Sequence, residues 1–137
     1  MQPGDILDEW QFTVEAGKVR EFARAVMQPD WATAEVAPPT FPMVASAGFV
    51  ERLVTSILAL DRSRTVHGEQ AFAYARPIHA GDHLRCRARL VSDEHKQGRR
   101  GGTMRVVVTE IEYTDRDNGD PVCRETMTSI EKAATSP

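Results

Sequence analysis

The stretch PMVASAGFVERLVTSILAL, residues 42–60, is the feature that most restricts how this chain can fold. Apolar residues occupy nearly every face of a helix drawn from Met43 to Leu60, and small residues fill its first two turns. Such a helix needs apolar cover on all sides. Glu51 and Arg52 at its centre, and the lack of a basic flank, argue against a membrane span. The stretch therefore predicts a helix at the centre of the fold.

The second half of the chain predicts the sheet that covers this helix. Four strand-like runs, separated by HAGD, KQGRRGG and RDNGD, span residues 65–78, 82–94, 102–115 and 120–132. Strands joined by such short turns are expected to be antiparallel, because a parallel return needs a crossover of about a dozen residues. EWQFTV near the start alternates like a strand, and AGKVREFARAVM has the period of an amphipathic helix. The order predicts an α+β fold with an antiparallel five-stranded sheet wrapped around a central helix.

Length and composition narrow the class of protein. A chain of 137 residues fits a single domain over residues 1–137. A net charge of -3 gives no electrostatic reason to expect a nucleic-acid partner, and a small ligand or a protein partner stays open. Cys86 and Cys123, without a charged and then apolar leader, favour a reducing, cytoplasmic setting and no membrane association. Both thiols are expected to pack as small core residues.

Three strings in this element order carry a family resemblance: APPTFP, HGEQAFAYARPIHAGD and KQGRRGGTM. Over about residues 8–131 the chain resembles the hot-dog fold, and within it the N-terminal domain of MaoC-like (FAS1-like) dehydratases. The resemblance implies acyl thioesters of coenzyme A or acyl carrier protein as ligands. It also implies dehydration of a 3-hydroxyacyl chain or hydration of an enoyl chain, and pairing of two hot-dog units with the acyl pocket at their junction.

The long connection before the central helix departs from the catalytic members that it resembles. Those members carry a D-x-N-P-x-H pattern there, and a His-Gly at the start of the central helix. Here the connection contains four prolines and no histidine, and its only carboxylates are Asp30 and Glu35. A connection this long is typically functional or disordered. The chain is therefore interpreted as a dehydratase or hydratase subunit that forms the acyl pocket, lacks the catalytic Asp and His, and pairs with itself or with a catalytic MaoC-like subunit.

Two other functions stay open. One is a homodimeric hydratase or acyl thioesterase with displaced catalytic residues, either Glu51 or His67. The other is a non-catalytic hot-dog protein that binds acyl-CoA. If the chain is a pocket-forming subunit, apolar and small residues would line its acyl channel. Plain core packing explains the large apolar side chains among them equally well. These candidates are Trp31, Thr40, Phe41, Met43, Val44, Phe49 and Gly68.

His67 and Glu51 each have a structural alternative. Alternation places His67 opposite Phe72 and Tyr74, either as a group at a pocket or dimer edge, or as a strand-end histidine bonded to Glu69 or backbone. Glu51 could serve as a base, or Arg52 could simply hold it ionised at a dimer surface.

The remaining candidates are basic. Arg85, Arg87 and Arg89 share one face of a strand, where they could receive coenzyme A phosphates or an acidic carrier protein, or form a solvated outer face. His79 and His83 flank a turn and are expected in solvent. Since zinc sites need three or four ligands at compact spacings, the histidines predict no metal, and no cofactor is expected.

Overall fold

The computed structural model describes residues 1–134 and confirms the predicted sheet around a helix. The last three residues of the predicted 1–137 domain lie outside the described residues. The strands are β1 (Ile6–Thr13), β2 (Thr65–Tyr74), β3 (His83–Gln97), β4 (Thr103–Asp115) and β5 (Pro121–Glu131). The helices are α1 (Ala16–Ala25) and α2 (Pro42–Arg52), with short helical turns at Trp31–Thr33, Leu53–Ile57 and Arg62–Arg64.

The sheet is antiparallel throughout, in the order β1-β3-β4-β5-β2. Its inner face and α2 contribute to one apolar cluster, which includes Phe49 of α2 and Ile111 of β4. Trp10 of β1 stacks on Phe49 with ring centroids 5.4 Å apart, and its indole Nε1 donates to the Ala45 carbonyl oxygen at 3.0 Å. These contacts hold α2 against the sheet. The small residues in its first turns allow this close approach to the helix backbone.

The prediction that short turns join neighbouring strands is right for two pairs and wrong for one. β3 with β4 and β4 with β5 form hairpins, but β2 and β3 are not neighbours, since β2 pairs with β5 at the far edge. HAGD is only the end of a connection over residues 75–82 that crosses between them. Arg76 in this connection bonds Asp82 at 2.8 Å and Asp115 at 3.1 Å, and Ile78 is buried. Ion pairs and apolar anchoring therefore replace the hairpin.

The central helix is shorter than its apolar run. Pro42 occupies its first turn, as predicted, and the regular helix ends at Arg52. A wider turn follows over Leu53–Ile57, and Ala59 adopts a positive φ of 50° that ends the segment. None of the helices within residues 1–134 has the length and apolar character to cross a membrane.

A β-bulge at Gly68 changes which side chains of β2 face the helix. His67 pairs with Ser129, whereas Glu69 pairs with Thr128, so Gly68 is an extra residue. Directly opposed residues of neighbouring strands share a sheet face. Beyond the bulge, the inner residues Met127, Glu125 and Cys123 of β5 oppose Gln70, Phe72 and Tyr74. His67 therefore lies on the same face as Phe72 and Tyr74, and the predicted opposite placement is wrong because a bulge shifts the alternation by one residue.

Candidate functional site

A cleft of about 300 Å³ lies between α2 and β2. α2 contributes its small and flexible side chains, so a gap remains between the helix and the strand. Apolar groups dominate the walls, and three polar side chains interrupt them. The cleft is lined by Met43, Ser46, Ala47, Val50, His67, Gln70 and Met127.

A fully buried carboxyl group lies directly behind this cleft, at Glu125 of β5. Its Oε1 accepts a hydrogen bond from the Tyr113 hydroxyl at 2.7 Å, and its Oε2 accepts from the Ser46 hydroxyl at 3.1 Å. The amide nitrogen of Gln70 also donates to Oε2. All three donors are neutral, and two of them line the cleft. The side chain of Glu125 thus connects the cleft wall to the interior of the sheet.

The surroundings of Glu125 favour its neutral form more than water does. Burial raises the pKa of this carboxyl group, against the opposing effects of its three hydrogen bonds and of His67. Burial and the neighbouring carboxyl likewise raise the pKa of the Tyr113 hydroxyl. A neutral carboxyl would leave its donors short of an acceptor, unless they have another one nearby.

Both hydroxyl groups of the cluster do have a second acceptor in the first turn of α2. The Tyr113 hydroxyl lies 3.3 Å from the carbonyl oxygen of Pro42, and the Ser46 hydroxyl lies 3.5 Å from that of Met43. The cluster can therefore satisfy Glu125 in either protonation state, with the hydroxyl protons turning from the carboxylate to the helix.

Six of the predicted channel residues lie in or near the long loop and α2, and only one of these six lines the cleft. Met43 lines it and is 46% exposed. Phe41 is buried edge-on against Phe12 and Phe22, and Phe49 is buried against β1, as described above. Core packing thus accounts for both phenylalanines.

The remaining channel candidates are not among the residues that line the cleft. Val44 is half-buried against the core, and Thr40 is exposed at the start of α2. Trp31 lies under the Arg24 guanidinium, whose carbon is 4.9 Å from the ring centroid. Gly68 is the bulge beside His67 and is not a lining residue.

His67 and Glu51 occupy quite different surroundings. His67 lines the cleft through the bulge at Gly68. Glu51 lies outside the cleft lining, its side chain is 62% exposed, and it pairs with Arg62 at 2.5 Å. Arg52, its expected partner, pairs instead with Asp8 at 2.6 Å. The structure thus associates His67 with the cleft and separates Glu51 from it.

The arginine stripe of β3 lies on the outer face of the sheet, as the alternation predicts. Arg85 and Arg87 approach Glu9 of β1 at 3.8 and 2.7 Å, and Arg89 lies opposite Glu110 of β4. These carboxylates offset much of the positive charge that a phosphate would need. The stripe therefore fits a solvated outer face better than a phosphate site.

Other titratable side chains add no further cluster near the cleft. His79, His83 and His95 are exposed, and no three His, Cys, Asp or Glu side chains within residues 1–134 are arranged to hold a metal ion. Cys86 and Cys123 are buried, and burial raises the pKa of the Cys86 thiol to about 12. Both thiols therefore pack as core residues.

The loop between α1 and α2, residues 26–41, contributes neither of its two carboxylates to the lining of the cleft. Asp30 accepts a hydrogen bond from the Gln28 amide at 2.9 Å, and Glu35 accepts one from Arg20 at 3.3 Å. The loop is fastened to the β2–β3 connection, where the Ala37 amide donates to the carbonyl oxygen of Ile78 at 2.8 Å. The loop is thus ordered but brings no acid or base to the cleft.

Comparison with protein families tests the resemblance to FAS1-like dehydratases that the sequence strings indicated. The family described as "FAS1-like, dehydratase domain region" matches residues 1–125. The chain belongs to this family. The FAS1-like dehydratase assignment also agrees with the sheet order and the central helix described above.

Individual relatives support the FAS1-like dehydratase assignment at two levels. A UPF0336 protein of Thermobifida fusca is 41% identical over 92 residues, which cover 58% of this chain and 60% of that protein. The C-terminally truncated HadBC complex of Mycobacterium tuberculosis, a 3R-hydroxyacyl-ACP dehydratase, contains a chain with TM-score 0.71 and 28% identity, covering 93% of this chain and 96% of that one. A MaoC-like dehydratase gives TM-score 0.73 and 26% identity, covering 94% of this chain and 42% of its own. The hot-dog fold and the MaoC-like resemblance are confirmed.

Sequence reasoning did not identify Glu125, although the sequence of this FAS1-like chain contains a signal for it. In β5, Glu125 lies two residues from Cys123 and two from Met127, so all three share one face. A carboxyl group between two buried apolar side chains requires hydrogen-bond donors around it. The pattern identifies the buried position, but the donors come from three other elements.

Proposed function

We propose that this chain is the pocket-forming subunit of a 3-hydroxyacyl thioester dehydratase or enoyl-thioester hydratase. A catalytic MaoC-like hot-dog partner supplies the Asp that abstracts or returns a proton and the His that acts with it. This chain contributes the walls that hold the acyl chain. Its ligand is an acyl thioester of coenzyme A or of acyl carrier protein.

One observation carries the proposal: the loop over residues 26–41 contains no histidine, and its carboxylates bond Gln28 and Arg20 rather than face the cleft. Acid–base chemistry at the C2 and C3 positions needs positioned groups within hydrogen-bond reach of the substrate. The apolar cleft between α2 and β2 suits an acyl chain, since ligand pockets are mostly apolar with a few placed polar groups.

The exposed edge of the sheet supports a partner subunit. β2 is one of the two edge strands, and Val66 and Tyr74 on it are exposed. An edge strand presents unpaired backbone groups that another strand can pair with. Because β2 also forms one wall of the cleft, a partner that pairs here would close the cleft.

The first test is hydration of crotonyl-CoA and of a longer 2-enoyl-CoA by the purified chain, alone and co-expressed with a MaoC-like subunit that carries D-x-N-P-x-H. We expect turnover only from the co-purified pair. Turnover by this chain alone at the rate of the pair would overturn the proposal.

A second test asks whether this chain holds the acyl group. Ala47→Leu narrows the cleft, and we expect it to raise the KM of the pair for the longer substrate by about 10-fold or more while sparing crotonyl-CoA. Thr55→Leu, on the exposed side of the same helical segment, is the matched control. Equal effects of the two substitutions would contradict a role of the cleft in chain binding.

The position of His67 favours one alternative, a homodimeric hydratase or thioesterase that uses this histidine. His67 lines the cleft, whereas Glu51 does not. In that case the chain alone would turn over an acyl thioester, and His67→Ala would abolish the activity. A chain that binds acyl-CoA without turnover in any pairing would instead be an acyl-binding protein.

A further inference from the structure

The amide group of Gln70 presents an unused hydrogen-bond acceptor to the cleft. Its nitrogen donates to Oε2 of Glu125, and its oxygen has no hydrogen-bond donor among residues 1–134. Oε2 of Glu125 also accepts from Ser46, so the nitrogen of the amide, and not its oxygen, suits the buried side. Because the amide nitrogen bonds Glu125, the amide oxygen is the polar atom of Gln70 left for the cleft that this residue lines.

The side chains around Gln70 determine how this amide oxygen is solvated when a ligand is bound. Met43, Ala47, Val50 and Met127 supply apolar walls, so an acceptor here would lose its water when a chain fills the cleft. A desolvated acceptor without a donor costs free energy, whereas a ligand that supplies the donor avoids that cost. Such a site discriminates more strongly than an apolar wall can.

We propose that Gln70 accepts a hydrogen bond from a donor group on an otherwise apolar ligand chain, and that Glu125 is the positioning residue that orients it. The inference rests on the proposed function, since it assumes an acyl thioester in the cleft. The shared chemistry is a hydrogen-bond donor flanked by apolar atoms. Two parts of an acyl thioester offer it: a hydroxyl group on the acyl chain and an amide N–H of the carrier arm.

His67 lines the same cleft and can extend this recognition. A hydroxyl or a secondary amide both donates and accepts, and an imidazole can supply the complementary donor. Ser46 contributes less, because its hydroxyl proton is directed to Glu125. Gln70 is therefore the residue whose replacement tests the idea most directly.

The test compares binding of decanoyl-CoA and 3-hydroxydecanoyl-CoA by calorimetry, using the chain with a co-purified partner in which the Asp of D-x-N-P-x-H is replaced by Asn, so that the hydroxy ester binds without being dehydrated. If the donor is the chain hydroxyl, the wild type prefers the hydroxy ester by about 10- to 100-fold, and Gln70→Leu removes the preference. If the donor is the carrier-arm amide, Gln70→Leu weakens both esters by the same factor. Unchanged binding of both esters in Gln70→Leu would overturn the proposal. Gln11→Leu, on the exposed outer face of β1, is the matched control.

The positioning role of Glu125 is tested by two substitutions. Glu125→Gln can still present a carbonyl oxygen to the Gln70 amide nitrogen, so we expect it to bind both esters as the wild type does. Glu125→Leu cannot, so we expect it to reproduce the Gln70→Leu result. A residue that acts only through Gln70 adds nothing when Glu125→Leu is combined with Gln70→Leu. A further loss of affinity for both esters in the double variant would indicate a structural role and overturn the positioning role.

The test separates this inference from the function on which it rests. Binding of the esters that ignores Gln70 would refute only the inference. Failure of the wild-type pair to bind either ester would refute the proposed function, and the inference with it.

Discussion

Two groups of charged side chains lie on opposite faces of the same sheet and are held in opposite ways. On the outer face, Glu9 is exposed beside the guanidinium groups of Arg85 and Arg87. On the inner face, Glu125 is fully buried and is held by neutral donors only. The outer carboxylate meets solvent and cations, whereas the protonation of the inner one depends on its buried site. The comparison shows that position in the sheet, more than residue type, determines what a glutamate can do here.

The largest expected effect is the difference in stability between variants that lack the inner and the outer carboxylate. Glu125→Ala leaves a cavity and deprives three donors of their shared acceptor, so we expect it to lower the free energy of unfolding by about 2–4 kcal/mol. Glu9→Ala removes an exposed ion pair and should cost less than about 1 kcal/mol. Urea unfolding of the purified variants measures both. Equal losses would refute the distinction between the two faces.

Arg105 is intermediate between exposed Glu9 and buried Glu125. It is partly buried and has a charged partner, Asp93. It bonds both oxygens of Asp93, at 2.9 and 2.7 Å, and also the Leu58 carbonyl oxygen at 3.1 Å, and its side chain is 21% exposed. We expect Arg105→Met to lower the free energy of unfolding by about 1–3 kcal/mol in urea. Arg124→Met, which breaks one exposed pair with Glu110 at 3.5 Å, is the control and should cost under about 1 kcal/mol.

Lowering the pH should reduce the loss of unfolding free energy that Arg105→Met causes. The hydrogen bonds from Arg105 hold the pKa of Asp93 below its usual value of 3.8. The pair therefore stabilises the fold above that value, and the contribution is lost as the pH falls and the carboxylate is protonated. The difference between wild type and Arg105→Met should shrink below about pH 4. A difference that grows on acidification would contradict this assignment.

The smallest expected effect is the pH dependence of stability contributed by Glu125. Its sign is opposite to that of the Arg105–Asp93 pair, because the contribution of Glu125 is lost as the pH rises. Its pKa is raised in the folded chain, so the unfolded chain loses this proton first as the pH rises above the usual value of 4.5. Wild type should therefore lose stability relative to Glu125→Gln as the pH rises from 4.5, by at most about 1.4 kcal/mol per pH unit and only until the folded carboxyl ionises. Urea unfolding of both proteins at several pH values measures the difference, and a slope of the opposite sign would show that the hydrogen bonds outweigh burial.

Periodicity and turn residues were sufficient to predict the main elements from the sequence. The apolar run from Met43 predicted the central helix, and the alternation in β3 placed Arg85, Arg87 and Arg89 on one face. These predictions succeed because burial repeats with a fixed period along one element. The predicted pairing of β2 with β3 failed because turn residues do not reveal whether a connection crosses the sheet.

The site was predicted less well, because it depends on contacts between elements. Phe41 and Phe49 were open to two readings, and packing against β1 and α1 decided for the core. Glu125 gains its significance from Tyr113, Ser46 and Gln70, which are distant from it in the chain. No pattern within β5 contains that information.

The bulge at Gly68 divides β2 into two short strands whose side chains alternate out of step. A Cβ at this position would lie 2.9 Å from Cδ1 of Ile130, so the backbone passes close to its neighbour there. Because Gly68 is the extra residue, deleting it would leave a regular strand in which His67 and Gln70 still share the inner face, whereas straightening the strand with Gly68 in place would turn one of them away from the cleft. The polarity of the cleft thus depends on the path of the backbone in this strand as much as on its side chains. Loss of the bulge would remove either an imidazole or an amide from the cavity without any change of side chain.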